Sequence, residues 1–126
     1  MSGFVIDGLR WEVRARGTGQ PLLLLHGFTG RGTAWGAHAS AFARSCRVIT
    51  VDLPGHGRSG IGEPARISVE RTADDLAAIL RQEGVVPAHV LGYSLGARIA
   101  LRLAVAHPDV VRRLVLESPS AGLATE

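Results

Sequence analysis

The sequence predicts an α/β fold in which parallel strands alternate with helices. Short, continuous apolar runs such as Leu22–Leu25 are typical of strands that are buried on both faces of a parallel sheet. Between such runs lie segments with apolar residues at helical spacing, of which 69–80 is the clearest. With 126 residues, 46% of them hydrophobic, the chain is expected to form one domain over 1–126 with a sizeable core.

The first predicted elements are a hairpin, a strand, a helix and a second strand. FVI and LRWEVRARG flank Asp7-Gly8, a dipeptide that favours a tight hairpin turn. PLLLLHG follows as a buried strand. TAWGAHASAFARSC has small and apolar residues at helical spacing, although Gly36 weakens the helix. RVITVDLPGHG predicts a second buried strand that runs into a loop rich in Gly and Pro.

The remaining segments continue this alternation. A helix is predicted between the capping residue Ser68 and Gly84. Its apolar positions recur every three or four residues: Val69, Ala73, Leu76 and Leu80. AHVLG is a third buried strand, SLGARIALRLAVAH is a mostly apolar helix that stops before Pro108, and VRRLVLES is a fourth strand. Strands and helices in this order indicate a parallel sheet covered on both faces.

Charge, cysteine content and hydropathy narrow the function classes. The formal net charge is +3 and all 14 basic residues are Arg. Only Arg112 and Arg113 are adjacent, so codon preference explains the arginines better than a nucleic-acid interface.

Cys46 is the only cysteine, which excludes an internal disulfide and favours a buried structural thiol. The sequence shows no signal peptide and no bilayer-spanning run, so we expect a cytoplasmic protein without a membrane partner.

One serine lies in a setting that favours catalysis. Gly92 and Gly96 bracket Ser94 in the pattern G-x-S-x-G, between a predicted strand and a predicted helix. This pattern is typical of a nucleophile elbow, a sharp strained turn that lifts the hydroxyl above the sheet and needs small neighbours because two backbones approach closely. The helix N-terminus favours negative charge that develops there. The alternative is a glycine-rich turn in which the serine only caps the helix.

Four segments carry a resemblance to a known family: HGFTGRGTAW, DLPGHGRS, GYSLGARIAL and LESPSAGL. Together they resemble the α/β-hydrolase superfamily over essentially the whole chain. Within it they are most similar to the 2-succinyl-6-hydroxy-2,4-cyclohexadiene-1-carboxylate synthases of menaquinone biosynthesis. Many esterases of this fold have His before the serine, whereas this chain has Tyr93 there and Arg98 four residues after the serine. LESPSAGL departs from the synthase pattern at Ala121.

The resemblance implies a role for each candidate site residue. Ser94 is the catalytic residue, and the backbone N–H groups of Phe28 and Leu95 form an oxyanion hole. Tyr93 and Arg98 bind the substrate, a small molecule with several carboxylates, which a guanidinium binds in a bidentate manner. Pyruvate is eliminated from it without a cofactor or metal. A carboxylic-ester hydrolase is the alternative function, and a salt bridge or a surface position is the alternative explanation of Arg98.

The acid and the histidine of a triad are not found after Ser94. His107 and Asp109 lie at the far end of the following helix, roughly 20 Å away at 1.5 Å per residue. His26 is a candidate base, but its position favours a buried residue that braces its loop, and the resemblance implies a structural role for Asp52. We therefore expect an incomplete α/β-hydrolase domain with low activity and self-association through its exposed last strand. A non-catalytic fragment is the third alternative.

Overall fold

A computed structural model describes residues 2–6, 9–26, 36–53 and 68–117. In these ranges the chain forms a six-stranded sheet and three helices. In chain order the elements are β1 (Ser2–Ile6), β2 (Leu9–Arg16), β3 (Gln20–Leu25), α1 (Gly36–Phe42), β4 (Cys46–Asp52), α2 (Val69–Glu83), β5 (Ala88–Tyr93), α3 (Leu95–Ala106) and β6 (Val111–Glu117). None of these three helices is long and apolar enough to cross a lipid bilayer.

The strands lie in the order β1-β2-β4-β3-β5-β6. β1 and β2 form an antiparallel hairpin, and β2 also pairs antiparallel with β4. β3 pairs parallel with both β4 and β5, and β5 pairs parallel with β6. The predicted α/β class, with a hairpin followed by parallel strands and helices, is confirmed. The contact between β2 and β4 makes the sheet mixed, which the sequence did not predict.

Alternate residues of β3 point into two cores on opposite faces of the sheet. Leu23 and Leu25 belong to the larger core, which the sheet forms with α2 and α3. Leu24 belongs to a smaller core with Ala39 of α1 and Val48 of β4. Because both faces of β3 are covered, its leucines form a continuous run and do not alternate with polar residues.

Both ends of α2 are capped as the sequence predicts. Ser68 has an extended backbone (φ −135°, ψ 158°), and its Oγ accepts a hydrogen bond of 3.0 Å from the N–H of Arg71. Gly84 has φ 71° and donates its N–H to the carbonyl of Arg81. Glycine adopts this left-handed conformation without the steric penalty of a Cβ atom, so the helix ends there.

Two predictions about the segment around α1 are wrong. The helix ends at Phe42 and does not continue to Cys46. After Phe42 the chain makes a tight turn. In this turn the N–H of Arg44 donates to the carbonyl of Ala41 (3.3 Å), and the N–H of Ser45 donates to the carbonyl of Phe42 (3.1 Å). Cys46 then begins β4. It is a free thiol at the start of the strand, and it is only half-buried because it packs against the margin of the smaller core.

Two polar contacts between distant segments hold β2 in place. The fully buried indole of Trp11 donates from Nε1 to Oδ2 of Asp75 at 3.3 Å. The guanidinium of Arg14 donates to both oxygens of the fully buried Asp52, at 3.1 and 3.0 Å. The hydrogen bond to Asp52 raises the pKa of Arg14. A buried carboxylate requires such a partner, so the contact agrees with a structural role for Asp52.

Candidate active site

Ser94 is the single residue between β5 and α3. β5 ends at Tyr93 and α3 begins at Leu95. Ser94 has φ 58° and ψ −116°, and within the described ranges it is the one non-glycine residue with a positive φ. A residue with a Cβ atom is strained in this region by roughly 1–3 kcal/mol. The expected strained serine between a strand and a helix is confirmed.

Backbone hydrogen bonds hold Ser94 in this conformation. Its N–H donates to the carbonyl of Glu117 in β6 at 2.9 Å. Its carbonyl accepts from the N–H groups of Ala97 at 2.9 Å and Arg98 at 3.3 Å. Its side chain, by contrast, makes no capping hydrogen bond to α3. This geometry does not support the alternative in which the serine serves as a side-chain cap.

The start of α3 approaches β5 and β3 closely at Gly92 and Gly96. A Cβ atom on Gly92 would lie 2.8 Å from the Cα atom of Ala97. A Cβ atom on Gly96 would lie 2.6 Å from the carbonyl oxygen of His26. Cβ atoms in proteins essentially never come this close to other atoms. The reason that the sequence suggested for small residues at both positions, a close approach of two backbones, is therefore confirmed.

Two of the other predicted site residues are the direct neighbours of Ser94. Tyr93 is 48% exposed at the end of β5. Leu95 is half-buried and is the first residue of α3, where backbone N–H groups lack an acceptor within the helix. Phe28 lies outside the described residues. The structure therefore describes only one of the two N–H donors that the resemblance implies.

Arg98 lies one turn along α3 from Ser94, on the exposed side of the helix. With Arg102 and Glu70 it lines an open groove of about 450 Å³ between α3, the start of α2 and β6. The side chain is exposed, which agrees with the surface position that the sequence left open as an alternative explanation of Arg98. Among the described side chains, no acidic residue forms an ion pair with Arg98, so the structure does not support the salt-bridge alternative. The residues of α3 that are buried are Gly96, Ala97, Ile99, Ala100 and Leu103.

His26 connects the end of β3 to the end of β4. Its ring is buried, with 3% exposed, and Nε2 accepts a hydrogen bond of 3.0 Å from the N–H of Leu53. A neutral ring that accepts at Nε2 carries its proton on Nδ1. The contact agrees with the bracing role expected from the sequence, and it occupies the nitrogen that a base acting through Nε2 would use.

His107 lies at the opposite end of α3 from Ser94. The helix has 12 residues, which is roughly 18 Å at 1.5 Å per residue. Nε2 of His107 is 2.8 Å from Oδ1 of Asp74, and Nδ1 is 3.4 Å from Nη2 of Arg81. Arg81 also donates to both oxygens of Asp109 at 3.1 Å, which lowers the pKa of that carboxyl. This cluster joins α2 to the turn before β6 and is remote from the serine.

Comparison with known proteins identifies the family. Residues 20–126 match the alpha/beta hydrolase fold family, and the chain belongs to it. The chain is 38% identical over 109 residues to a pimeloyl-(acyl-carrier protein) methyl ester esterase of Aeromonas hydrophila, covering 86% of this chain and 41% of that protein. It is 36% identical over 124 residues to a Bacillus subtilis protein provisionally named 2-succinyl-6-hydroxy-2,4-cyclohexadiene-1-carboxylate synthase, covering 96% of this chain and 45% of that protein.

A solved structure gives the same fold. Est816, described as an enzyme that degrades N-acyl homoserine lactone, has a TM-score of 0.85 and 32% identity, covering 90% of this chain and 44% of its own. The chain therefore spans less than half the length of these three proteins. Their names describe different substrates, so membership of the family does not by itself identify the substrate.

Gly96→Ala tests the close approach of α3 to β3. At an unhindered helical position, Gly→Ala stabilises a protein by about 1 kcal/mol. Here the added methyl group would overlap the carbonyl of His26, and overpacking of this kind lowers the free energy of unfolding by about 1–3 kcal/mol. Urea denaturation measures the difference. Gly84→Ala is the matched control, because nothing lies within 4 Å of its added Cβ and only its left-handed backbone is penalised. A Gly96→Ala variant as stable as the unmodified protein would contradict the described packing.

Proposed function

We propose that Ser94 is the catalytic residue of an α/β-hydrolase-fold enzyme that eliminates pyruvate from a polycarboxylate intermediate of menaquinone biosynthesis. The observation that carries the proposal is the backbone of Ser94, strained at φ 58° at the N-terminus of α3 with no capping hydrogen bond from its side chain. A strained serine between a strand and a helix supports the interpretation of this turn as a nucleophile elbow. A positive helix end beside the hydroxyl favours its ionised form and negative charge on a reacting oxygen.

The proposed reaction uses Ser94 as a base. A histidine held by an acidic residue would take the proton of the Ser94 hydroxyl. The serine oxygen would then remove a proton from a carbon of the substrate, a carbon–carbon double bond would form as a C–O bond breaks, and the enolate of pyruvate would leave. The histidine would return its proton to the enolate, which gives pyruvate, and a ring-bearing product would remain. The backbone N–H groups of Leu95 and Phe28 would donate hydrogen bonds to the oxygen that gains negative charge. The reaction is that of a carbon–oxygen lyase and requires no cofactor or metal. We place it in the cytoplasm.

The histidines whose side chains the structure describes are not placed to serve as this base. Nε2 of His26 accepts from Leu53, and His107 is beyond the far end of α3. His89 lies near the start of β5, roughly 16 Å from Ser94 at 3.3 Å per residue. We therefore propose that the acid–base partner comes from outside the described residues. Without it the serine hydroxyl is a weak nucleophile and a weak base.

Arg98 supports a substrate that carries carboxylates. Its guanidinium is exposed one turn from Ser94 and has no acidic partner among the described side chains. A guanidinium binds a carboxylate through two parallel hydrogen bonds, which gives both affinity and orientation. The 36% identity to the Bacillus subtilis relative supports the same substrate class, and Tyr93, 48% exposed beside the serine, would contact the same substrate.

A carboxylic-ester hydrolase is the second candidate function. It is supported by the 38% identity to the Aeromonas hydrophila methyl ester esterase. In this reaction Ser94 would attack the carbonyl carbon, the alcohol would leave with a proton, and water would release the acid from the acyl-enzyme. A neutral ester does not require Arg98. The lyase reaction is therefore expected to depend on Arg98, and hydrolysis of a neutral ester is not.

Selective labelling of Ser94 tests its proposed role on the 126-residue chain itself. A fluorophosphonate probe phosphonylates nucleophilic serines, and peptide mass spectrometry identifies the modified residue. We expect slow labelling at Ser94, because donors at a helix N-terminus retain part of their effect in the absence of a base, and no labelling at that peptide in Ser94→Ala. Ser68→Ala is the matched control and should not change labelling, because Oγ of Ser68 caps α2. Equal labelling of several serines would contradict the proposal.

Arg98→Ala distinguishes the two candidate functions. The assay uses a chimaera in which this chain replaces the part of the Bacillus subtilis relative that it aligns with. We expect loss of about 1.5–3 kcal/mol of transition-state stabilisation for pyruvate release, the energy of a charged hydrogen bond, or roughly 10- to 100-fold in kcat/KM. Hydrolysis of a neutral ester should change little. Arg102→Ala, in the same groove, is the matched control. Equal losses on both substrates would indicate a structural role for Arg98.

A further inference from the structure

A series of contacts runs from β2 to the first turn of α3. It begins at the guanidinium of Arg14, which donates to both carboxylate oxygens of Asp52 at 3.1 and 3.0 Å. The next residue is Leu53, and its N–H donates to Nε2 of His26 at 3.0 Å. The backbone of His26 lies against Gly96, where an added Cβ atom would be 2.6 Å from the His26 carbonyl oxygen. These five residues form what we call the β2–α3 series.

The middle of the β2–α3 series is closely packed. Asp52, Leu53 and His26 are at most 3% exposed. Leu24 and Thr50 are the last paired residues of the parallel ladder between β3 and β4, and beyond them the hydrogen bond from Leu53 to His26 joins the two strands. Close-packed interiors have low compressibility and transmit displacements. A change at Asp52 is therefore expected to reach the backbone of His26.

Gly96 belongs to the turn of helix that holds the candidate active site. It is two residues after Ser94, whose carbonyl accepts hydrogen bonds from two N–H groups of α3. The N–H of Leu95, proposed to stabilise negative charge, lies between Ser94 and Gly96 in sequence. Reacting groups must be held within about 0.5 Å of a productive geometry, and a displacement of about 1 Å can lower a rate by roughly 100-fold. A shift of His26 against Gly96 would therefore slow a reaction at the serine.

Arg14 is too distant to contact Ser94 directly. In the sheet, β4 and β3 lie between β2 and β5, the strand that ends next to the serine. Three strand spacings of about 4.8 Å give roughly 14 Å. An effect of Arg14 on the serine is therefore indirect, and the β2–α3 series supplies the connection.

We propose that Arg14 is a positioning residue that holds Ser94 and the N–H of Leu95 in their active arrangement through the β2–α3 series. The inference rests on the proposed catalytic role of Ser94, and it applies equally to the lyase and to the ester hydrolase. Two parallel hydrogen bonds from a guanidinium fix the orientation of a carboxylate. Removal of Arg14 leaves the buried carboxylate of Asp52 without this charged partner, so the end of β4 is expected to rearrange.

The rate of fluorophosphonate labelling at Ser94 in the full 126-residue chain tests the proposal. Arg14→Gln should lower this rate by about tenfold, because small displacements of reacting groups have large effects on rate. Arg14→Lys should give an intermediate rate, because an ammonium group keeps the charge but cannot form the two parallel hydrogen bonds. Urea denaturation of each variant identifies conditions in which it is folded, and the rates are compared there.

Arg16→Gln is the matched control. Arg16 lies two residues after Arg14, on the same face of β2, and is exposed. Its replacement should leave the labelling rate unchanged. A folded Arg14→Gln variant that is less stable but is labelled at the unmodified rate would overturn the proposal, because the ion pair with Asp52 would then only stabilise the fold.

A double-mutant cycle tests whether Arg14 acts through His26. His26→Leu removes the acceptor for the N–H of Leu53 and should also slow the labelling of Ser94. If both residues act through one series, the double variant should be labelled about as slowly as the slower single variant, because the second change breaks a connection that is already lost. Reductions in rate that multiply would indicate independent effects and would overturn the proposal.

An NMR readout does not depend on the reactivity of Ser94. In Arg14→Gln the amide of Leu53 should exchange faster with solvent and the amide resonance of Gly96 should shift, whereas both should be unchanged in Arg16→Gln. If the unmodified chain is not labelled at Ser94 but Gly96 responds to Arg14, the proposed function fails and the positional coupling stands. An unchanged Gly96 resonance would overturn the inference, whatever the labelling of Ser94. If Arg14→Gln does not fold, Arg14→Lys decides by the same comparison.

Discussion

The close crossing of α3 over the ends of β5 and β3 is the constraint on which the candidate site depends. Glycine at 92 and 96 lets the helix begin immediately after the strand, with the backbone of α3 against the carbonyl of His26. Only Ser94 remains between the strand and the helix to form the turn, and its backbone adopts φ 58° and ψ −116°. The position of the Ser94 hydroxyl beside a helix N-terminus follows from this crossing. The strain at the serine is balanced by packing that surrounds it, including the hydrogen bond from its N–H to Glu117.

Local patterns predicted most of the fold because the signals act over a few residues. The hairpin of β1 and β2, the continuous leucines of β3 and the Ser68 cap of α2 each depend on neighbours in the chain, although Asp7 and Gly8 themselves lie outside the described residues. The pattern G-x-S-x-G predicted the strained turn at Ser94 for the same reason. Its elements, the end of a strand, a serine and the start of a helix, are adjacent in sequence. The glycines that permit the crossing could be recognised without knowledge of what they pack against.

Contacts between distant segments could not be predicted in this way. Arg14 and Asp52 are separated by 38 positions, and their pairing depends on the antiparallel contact of β2 with β4, which no local pattern indicates. For Arg98, the sequence left a substrate-binding role, a salt bridge and a surface position open. Whether a helix face is exposed depends on what covers it, and in the described structure that side of α3 is open. The roles proposed for Arg98 and Tyr93 therefore depend both on the family resemblance and on the positions of these residues near Ser94.

The most direct test of this account compares the stabilities of Ser94→Gly and Ser94→Ala. Both variants lack the hydroxyl, but only glycine also removes the Cβ atom that makes φ 58° unfavourable. If the turn is strained as described, chemical denaturation should show the glycine variant to be more stable than the alanine variant by about 1 kcal/mol, although glycine loses more backbone entropy on folding. An alanine variant as stable as the glycine variant, or more stable, would mean that Ser94 is not held in a strained turn, and the structural basis for a catalytic serine would be contradicted.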